Sequence, residues 1–339
     1  MMKKNFWNKK KVLITGINGF VGGNICKELI SLGANVTGLI RNKNKKTLLF
    51  LEKLNKNITL VDGSIDNKET LKRILLEQNI EVCFHLAAQV EVGVASYYPN
   101  LTWENNIRGT YNLLEAIREQ GKHVKSVIIA SSDKAYGSYP KNKMPYKENY
   151  ELRPKFPYDV SKACTELIAR SYTSELYNLP IVITRFTNIY GPGQVNFSAL
   201  IPDCIQTVLG HGKFIPRGNG ENVRDFLYVK DVVDLYLLIA KKLFLNPKKL
   251  SGQIFNAGSN KPKKIKDIVK IIFIKSDKKK EYVKIQKAFK NKKAIGEIDY
   301  QYMDHKKAKK YFGWSPKYNF NSGIIETYKW YKNNIKKLI

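Results

Sequence analysis

Short apolar runs alternate with segments of helical periodicity through the first 185 residues, and this alternation constrains the fold more than any other feature. Strands are predicted at residues 11–15, 35–40, 58–61, 81–85, 126–130 and 181–185. Helices are predicted at residues 20–32, 103–120 and 157–177, the first closed by Gly33 and the last opened by Pro157. Strands and helices in alternation are typical of the α/β class, so we predict a doubly wound, Rossmann-like parallel sheet.

The pattern changes after residue 185. Helices are predicted at residues 199–209, 232–243 and 319–339, a strand at 253–256, a turn-rich stretch at 188–193 and a loop at 216–222. We therefore predict a dinucleotide-binding domain at residues 1–185, which includes the 157–177 helix, and a smaller C-terminal lobe at residues 186–339 that mainly binds substrate.

The chain is strongly basic, with 59 Lys and Arg residues against 29 Asp and Glu residues and a net charge of +30. The cations are nearly all Lys, are spread along the chain and accompany no nucleic-acid-binding motif, so we expect no nucleic-acid partner. A positive field of this kind can still attract a small anionic substrate.

Other patterns exclude several classes of protein. No run approaches the roughly 18 apolar residues of a membrane-spanning helix, and no apolar segment follows the basic residues 1–11. Four scattered cysteines form no CxxC pair, which predicts neither a metal site nor a disulfide framework: Cys26, Cys83, Cys164 and Cys204. We expect a cytoplasmic protein with no membrane partner.

A glycine-rich turn with GxxGxxG spacing follows the first predicted strand and opens the first predicted helix. Glycines in this setting allow a tight turn and let a pyrophosphate approach the helix N-terminus closely. The candidate cofactor-binding residues of this turn are Gly16, Asn18, Gly19, Phe20, Val21 and Gly22.

The ends of the next strands bear on the identity of the cofactor. At the end of the second strand of such a sheet, a carboxylate binds the ribose 2′-hydroxyl of NAD, whereas Arg accommodates the 2′-phosphate of NADP. Arg41 lies at this position, so the residues favour NADP. The alternative is that Arg41 stacks on adenine or faces water. Asp62 is either an adenine ligand or a loop cap. Ala87 and Ala88 are small enough for close approach of the cofactor, whereas His85 is interpreted as a core histidine.

Tyr158 and Lys162 are spaced i, i+4 and share one face of a predicted helix. A nearby ammonium favours phenolate, so we expect a lowered pKa that makes Tyr158 a base for a sugar hydroxyl. Ser132, just past the fifth strand, is a candidate to hold the substrate oxygen, with a turn serine as the alternative.

Asp133 and Lys134 follow at the carboxyl end of a central strand, where α/β sheets bind their ligands. Asp133 can protonate a leaving hydroxyl, and Lys134 in its neutral form can remove a carbon-bound proton. This acid and base predict elimination of water in addition to hydride transfer. A salt-bridged surface turn is the alternative.

Candidate substrate ligands include several guanidinium groups, because the planar fork of Arg binds a diphosphate bidentately. The candidates are Gln89, Arg185, Asn188, Arg217 and Arg224. Arg224 with Asp225 is equally well explained as a structural ion pair.

Nearly the whole chain resembles the extended short-chain dehydrogenase/reductase family of nucleotide-sugar epimerases and dehydratases. The resemblance rests on TGINGFVG at 15–22, HLAA at 85–88, the YxxxK motif, RDFLYV at 224–229, NAGS at 256–259 and GWSP at 313–316. The Phe6-Trp7 pair, the Ser132-Asp133-Lys134 triplet and LIPD at 200–203 are most similar to CDP-glucose 4,6-dehydratases. The dTDP-glucose dehydratases have Glu as the third residue of the triplet, and 4-epimerases lack the acid–base pair. LIR at 39–41 instead resembles NADP-using GDP-mannose dehydratases.

The resemblance implies a lyase of polysaccharide biosynthesis that forms a 4-keto-6-deoxy sugar nucleotide with NAD, or with NADP as Arg41 suggests. Tyr158 would take the 4-hydroxyl proton, and Lys162 would lower its pKa and hold the nicotinamide ribose. Lys134 would take the C5 proton and Asp133 would protonate the 6-hydroxyl. The alternatives are a 4-epimerase or 4-keto reductase, and a non-catalytic dinucleotide-binding protein. The family often forms homodimers through the helix that carries YxxxK.

Overall fold

The computed structural model describes residues 5–289 and 298–339, which form two compact units assembled from separate stretches of chain. The first unit holds the described residues up to Gly137 together with Glu148–Arg185 and Val233–Asn256. The second holds Ser138–Lys147, Phe186–Val232 and the described residues from Ala257 onward. A single division between residues 185 and 186 does not describe this arrangement, because residues 138–147 and 233–256 lie in the opposite unit.

Strands and helices alternate along the described chain. The strands are β1 (Lys11–Thr15), β2 (Asn35–Ile40), β3 (Thr59–Asp62), β4 (Val82–His85), β5 (Ser126–Ala130), β6 (Ile181–Phe186), β7 (Asn188–Tyr190), β8 (Val223–Arg224), β9 (Phe226–Tyr228), β10 (Ile254–Ala257), β11 (Lys263–Lys264) and β12 (Tyr300–Gln301). The helices are α1 (Phe20–Ser31), α2 (Leu48–Leu51), α3 (Lys68–Glu77), α4 (Val92–Tyr97), α5 (Pro99–Trp103), α6 (Gly109–Gln120), α7 (Pro157–Ser171), α8 (Leu200–Val208), α9 (Val229–Leu245), α10 (Pro247–Leu250), α11 (Ile265–Lys275), α12 (Lys279–Ala288), α13 (Lys306–Phe312) and α14 (Phe320–Leu338).

The first unit is built on a seven-stranded sheet with the order β10-β6-β5-β4-β1-β2-β3. The pairs from β3 through β6 are parallel, and the order reverses between β1 and β4, where Thr15 is paired with His85. The predicted doubly wound parallel sheet is confirmed. Sheets of this kind bind ligands beyond the carboxyl ends of the strands at such a reversal.

The strands are apolar on both faces because helices cover both faces of the sheet. Leu13 packs in a core cluster with Leu113 and Ile117 of α6, while Ile14, on the opposite face of β1, is also fully buried. The second unit has a three-stranded sheet, β11-β8-β12, and the parallel pair β7–β9. No helix in the described part of the chain is long and apolar enough to cross a membrane.

Several predicted elements need correction. The helix predicted at 157–177 ends at Ser171, since Leu179 turns back and donates its N–H to the carbonyl of Tyr172. The helix predicted at 103–120 contains a π turn at Glu104–Arg108 between α5 and α6. The stretch 188–193 includes strand β7. The helices α2 to α4 and α10 to α13 and the strands β8, β9, β11 and β12 were not predicted.

Candidate active site

The glycine-rich turn between β1 and α1 depends on the absence of side chains. Gly16 has a φ of +75°, and a Cβ there would lie 2.7 Å from the backbone nitrogen of Ala87. A Cβ on Gly22 would lie 2.3 Å from the carbonyl oxygen of Gly16. The turn is therefore closed against the segment that follows β4, and larger residues would force the two apart.

The N-terminus of α1 is suited to an anion. Its N-cap, Gly19, has no side chain to occupy the first-turn N–H groups, and the first turn contains no acidic residue. Such N–H groups and the helix dipole favour a phosphate. Asn18 donates from Nδ2 to the carbonyl of Asn42 at 3.2 Å and accepts a hydrogen bond from Thr47, which ties the turn to the loop after β2. The residues present fit the diphosphate of a dinucleotide.

The loop after β2 is basic. Arg41 donates to Asn105 Oδ1 at 2.9 Å, and Lys43 pairs with Asp62 at 3.1 Å, both partners being exposed. Residues 41–47 contain no carboxylate. The structure thus places Arg41 and Asp62 at the same edge of the sheet, and Asp62 already has a cationic partner.

His85 is a buried, hydrogen-bonded core histidine, as the sequence predicts. Its Nδ1 lies 2.9 Å from Thr15 Oγ1 and its Nε2 lies 3.1 Å from Thr110 Oγ1. Thr110 donates to the carbonyl of Asn106, so the network assigns the proton to Nε2. Burial, followed by the charge of Lys162, lowers the pKa of His85 to about 3. The ring is therefore neutral and links β1, β4 and α6.

The predicted catalytic residues meet beyond the carboxyl end of β5. Ser132 accepts a hydrogen bond from the N–H of Lys134 at 3.2 Å and donates to Asp133 Oδ1 at 3.1 Å. Ser132 and Asp133 both act on the pKa of Tyr158 on α7. Asp133 is 3% exposed and Tyr158 is 8% exposed. A hydroxyl and a carboxylate are therefore hydrogen-bonded to each other close to a largely buried phenol.

The expected pKa of Tyr158 was wrong in direction. Burial raises the pKa of Tyr158 well above its usual range; the Ser132 hydroxyl opposes this rise, and the charges of Asp133 and Asp159 add to it. Lys162 donates to the carbonyl of Ala130 at 2.8 Å, and burial lowers its own pKa to about 8. Desolvation therefore raises the pKa of Tyr158 by more than the ammonium of Lys162, on which the prediction was based, can lower it.

Asp159 was missed by the sequence analysis. It lies in the first turn of α7, whose N-cap is Phe156, and is 3% exposed. Burial raises its pKa to about 6, Lys134 opposes that rise and Asp133 adds to it. The carboxylates of Asp133 and Asp159 and the ammonium of Lys134 therefore lie close together. The sequence feature that could have identified Asp159 is a carboxylate in the first turn of a predicted helix.

Asn106 was also missed, although it fixes α7 in place. It lies in the π turn, donates to Ser161 Oγ at 2.8 Å and exchanges hydrogen bonds with the backbone of Gln89. Gln89, a predicted substrate ligand, uses its side-chain amide on the carbonyl of Glu91 at 3.0 Å. The sequence feature that could have identified Asn106 is a polar residue on the buried face of a predicted helix. Its position in a π turn agrees with this, because π turns are frequent at functional sites.

Arg185 is not a substrate ligand in this structure. It is 2% exposed and forms a two-pronged ion pair with Glu166 of α7, with distances of 2.5–3.0 Å. Its guanidinium also lies 4.5 Å from the ring centre of Tyr136, and Ser131 donates to the same carboxylate. The pair holds α7 against β6.

The remaining predicted substrate ligands lie in the second unit. Asn188 donates to the carbonyl of Asp225 at 3.3 Å, and the exposed Arg217 donates to the carbonyl of Ser198 at 3.2 Å. Arg224 is buried and donates to the carbonyls of Val223 and Ile298. These contacts show how each side chain is held within its unit.

Known proteins resemble the chain along almost its entire length. It is 29% identical to a trifunctional UDP-glucose 4,6-dehydratase/UDP-4-keto-6-deoxy-D-glucose 3,5-epimerase/UDP-4-keto-L-rhamnose-reductase of Arabidopsis thaliana, with 97% of the chain and 48% of the relative covered. The chain thus spans about half the length of that enzyme. It is 28% identical to the CDP-glucose 4,6-dehydratase of Salmonella typhimurium, with 98% and 93% covered.

Solved structures of both reaction types share the fold. The dTDP-glucose 4,6-dehydratase of Bacillus anthracis, solved with NAD, has a TM-score of 0.83 at 28% identity and covers 97% of this chain and 100% of its own. The UDP-glucose 4-epimerase of Thermotoga maritima, solved with UDP-glucose, has a TM-score of 0.85 at 28% identity, with 96% and 99% covered. The family model for GDP-mannose 4,6 dehydratase matches residues 13–327, so the chain belongs to that family of nucleotide-sugar dehydratases and epimerases.

Proposed function

We propose that the protein is a nucleotide-sugar 4,6-dehydratase that converts a nucleoside-diphosphate hexose into its 4-keto-6-deoxy form. One observation carries the proposal: Ser132 is hydrogen-bonded to Asp133 and to the backbone N–H of Lys134 at the carboxyl end of the central sheet, and Asp133 and Tyr158 are both largely buried there. Oxidation of a sugar hydroxyl needs Tyr158 and Lys162, whereas loss of water needs an acid and a base as well.

Residues of the first unit fit a dinucleotide, with the turn at Gly16–Gly22 and the N-terminus of α1 receiving its diphosphate. NAD, when bound, would accept hydride from C4 of the sugar and return it at C6. Lys162 would hold the nicotinamide ribose. Arg41 and Lys43 lie on the loop after β2, where Arg accommodates a 2′-phosphate, so NADP is the alternative cofactor.

The sugar would react with the residues that follow β5. Tyr158 would take the proton of the 4-hydroxyl while Ser132 holds that oxygen. The resulting ketone acidifies C5–H, which Lys134 would remove, and Asp133 would protonate the departing 6-hydroxyl. Arg217, Arg224 and Asn188 are proposed to bind the diphosphate and nucleoside, with Gln89 as a further ligand.

The test is mass spectrometry of CDP-, GDP-, dTDP- and UDP-hexoses incubated with the protein without added reduced cofactor. We expect one of them to give a product lighter by one water. The double variant Asp133→Asn, Lys134→Ala should lose at least about 100-fold in rate, as expected for removal of general acid–base groups. Retained elimination by that variant would contradict the assignment.

The chain offers a matched control for this variant. Ser276-Asp277-Lys278 repeats the same three residues between α11 and α12, where Asp277 is exposed. Asp277→Asn, Lys278→Ala makes the same change in charge at a different place. We expect it to keep the elimination rate of the wild type.

A 4-epimerase is the second candidate, because the Thermotoga maritima epimerase has the same fold with a TM-score of 0.85. An epimerase would give a new stereoisomer of unchanged mass and would tolerate the Asp133→Asn, Lys134→Ala change. A cytoplasmic location and a homodimer, both expected from the sequence, stay predictions that cell fractionation and analytical ultracentrifugation would test.

A further inference from the structure

A continuous path of buried hydrogen bonds connects the glycine-rich turn to the first turn of α7. It begins at Thr15, the last residue of β1 before that turn. Thr15 Oγ1 accepts a hydrogen bond from the N–H of Ala87 at 3.3 Å and lies 2.9 Å from His85 Nδ1. His85 Nε2 in turn lies 3.1 Å from Thr110 Oγ1 on α6. The first half of the path therefore runs from the end of β1, through the end of β4, to α6.

The second half of the path runs from α6 to the turn of α7 that carries Tyr158. Thr110 Oγ1 donates to the carbonyl of Asn106 at 2.6 Å, and Asn106 Nδ2 donates to Ser161 Oγ at 2.8 Å. Ser161 Oγ donates to the carbonyl of Tyr158 at 2.7 Å. The linking side chains are all at most 3% exposed: Thr15, His85, Thr110, Asn106 and Ser161. Bulk water therefore does not replace a partner that is lost from the path.

The order of donors and acceptors along the path is fixed. The Thr110 hydroxyl gives its single proton to the carbonyl of Asn106, so towards His85 it can only accept. The His85 proton is therefore on Nε2, and Nδ1 accepts from the Thr15 hydroxyl. Burial, followed by the charge of Lys162, lowers the pKa of His85 to about 3, which keeps the ring neutral and this order intact.

The two ends of the path are parts that the proposed function must bring together, and the inference rests on that function. The glycine-rich turn would hold the dinucleotide, and Tyr158 would take the sugar proton as hydride leaves C4. The rate of such a step depends steeply on geometry, and a displacement of about 1 Å can cost on the order of 100-fold. A path of buried hydrogen bonds resists such a displacement, because a buried donor without an acceptor is unfavourable.

We propose that His85 and Thr110 are positioning residues for hydride transfer. Neither side chain acts on the substrate or the cofactor itself. Their hydrogen bond sets the spacing between the end of β4 and α6, and Asn106 passes that spacing on to the first turn of α7. The phenol of Tyr158 is thereby held at a fixed distance from the dinucleotide. His85 thus has a role in the reaction in addition to its place in the core.

The test is the rate of product formation in single turnovers at saturating NAD, with sugar nucleotides that carry hydrogen or deuterium at C4. Thr110→Val keeps the shape of threonine but leaves the Nε2–H of His85 without its acceptor. We expect this variant to be on the order of tenfold slower than the wild type, with a larger deuterium isotope effect, because hydride transfer then limits the rate. Thr110→Ser restores the hydroxyl and should restore the rate and the isotope effect of the wild type.

A threonine of the second unit provides the matched control. Thr327 of α14 is 1% exposed, as Thr110 is, and each donates to the carbonyl four residues earlier at 2.6 Å. Thr327→Val therefore removes the same kind of buried helix hydroxyl at a place outside the path. We expect it to keep the rate and the isotope effect of the wild type.

A second variant tests whether His85 and Thr110 act as one unit. In His85→Asn the new side chain has an atom at the position of Nδ1 and none at that of Nε2, so the hydrogen bond to Thr110 is lost. We expect His85→Asn to be slowed to a similar extent, and the double variant with Thr110→Val to be no slower than the slower single variant. Losses that multiply in the double variant would overturn the proposal, since the two residues would then act independently.

The outcomes separate the positioning role from the function on which it rests. A Thr110→Val variant that loses stability or NAD affinity, but keeps the rate and the isotope effect of the wild type at saturating NAD, would overturn the positioning role and leave the dehydratase in place. A wild-type protein that transfers hydride from C4 of none of the four sugar nucleotides would overturn the proposed function, and the positioning role with it.

Discussion

The chain contains the same three residues, Ser-Asp-Lys, in two places, and they have different structures in each. Ser132-Asp133-Lys134 follows β5, and Asp133 begins a 3₁₀ turn packed near α7. Ser276-Asp277-Lys278 follows α11, where Asp277 has a φ of +57° and is exposed. There Lys278 Nζ lies 3.1 Å from Glu281 of α12 on the surface.

The difference shows that the position on the sheet, and not the tripeptide, gives these residues their chemistry. Beside α7, burial and neighbouring charges act on Tyr158, Asp159 and Lys162. At the end of α11, Ser276 is buried, but Asp277 is exposed and Lys278 is half-exposed, and an ion pair on such a surface contributes little. Three predictions test this contrast, from the largest expected effect to the smallest.

Replacing Glu166 should give the largest loss of stability. Glu166→Ala leaves the guanidinium of Arg185 buried without its carboxylate partner, and removes the acceptor of the Ser131 hydroxyl. Breaking a buried pair in this way costs about 3–5 kcal/mol. Urea unfolding followed by tryptophan fluorescence will measure the change, since Trp7 is buried in the first unit.

The matched control lies beside the second tripeptide. Glu281→Ala breaks the exposed Lys278–Glu281 pair and should leave the free energy of unfolding almost unchanged. Equal losses for Glu166→Ala and Glu281→Ala would show that the buried pair does not anchor α7.

The sequence predicted the parts of this fold and site that depend on local geometry. The glycine spacing at Gly16 and Gly22 follows from steric limits on the turn, and the pairing of Tyr158 with Lys162 follows from the helical period. The alternation of apolar runs predicted the class of fold, a doubly wound parallel sheet. It did not predict the order of the strands, because that order depends on how strands distant in the sequence pair.

The missed features depend on partners far away in the sequence. Arg185 was predicted to bind substrate because nothing local to it indicates that Glu166 will neutralise it. Asn106 acts through Ser161, which lies 55 residues further along the chain. The pKa of Tyr158 was wrong in direction because its burial is set by the folded unit and exceeds the effect of Lys162.

Asn106 provides the second test, which concerns how α7 is held near the first tripeptide. Asn106→Asp keeps the shape but replaces the amide donor to Ser161 and to the Gln89 carbonyl with an acceptor. Leaving these buried groups without a donor should cost about 1–3 kcal/mol. Asn105→Asp, at the half-buried neighbouring position, keeps the acceptor for Arg41 and is the control for the added charge. Equal unfolding midpoints in urea for the two variants would contradict the anchoring role.

The smallest effect concerns Asp159, which is buried beside Asp133 and Lys134. Its pKa is raised from 3.8 to about 6, so between these values the unfolded chain has already lost the proton that the folded protein retains. The folded state is therefore favoured less as pH rises from 4 to 6, and the penalty is constant above 6. Asp159→Asn lacks this carboxyl, so we expect its stability relative to wild type to increase on the order of 1–2 kcal/mol between pH 4 and 7.

The stability of Asp159→Asn must be compared with that of the wild type, because the pH dependence of stability contributed by His85 has the opposite sign to that of Asp159. Its pKa is lowered to about 3, so it destabilises the fold as pH falls below its ordinary value of 6.5, and this slope is common to wild type and Asp159→Asn. Asp277→Asn controls for the loss of one negative charge from the second tripeptide. If Asp277→Asn gains as much between pH 4 and 7 as Asp159→Asn, net charge causes the gain; if only Asp159→Asn gains, the buried position beside α7 causes it.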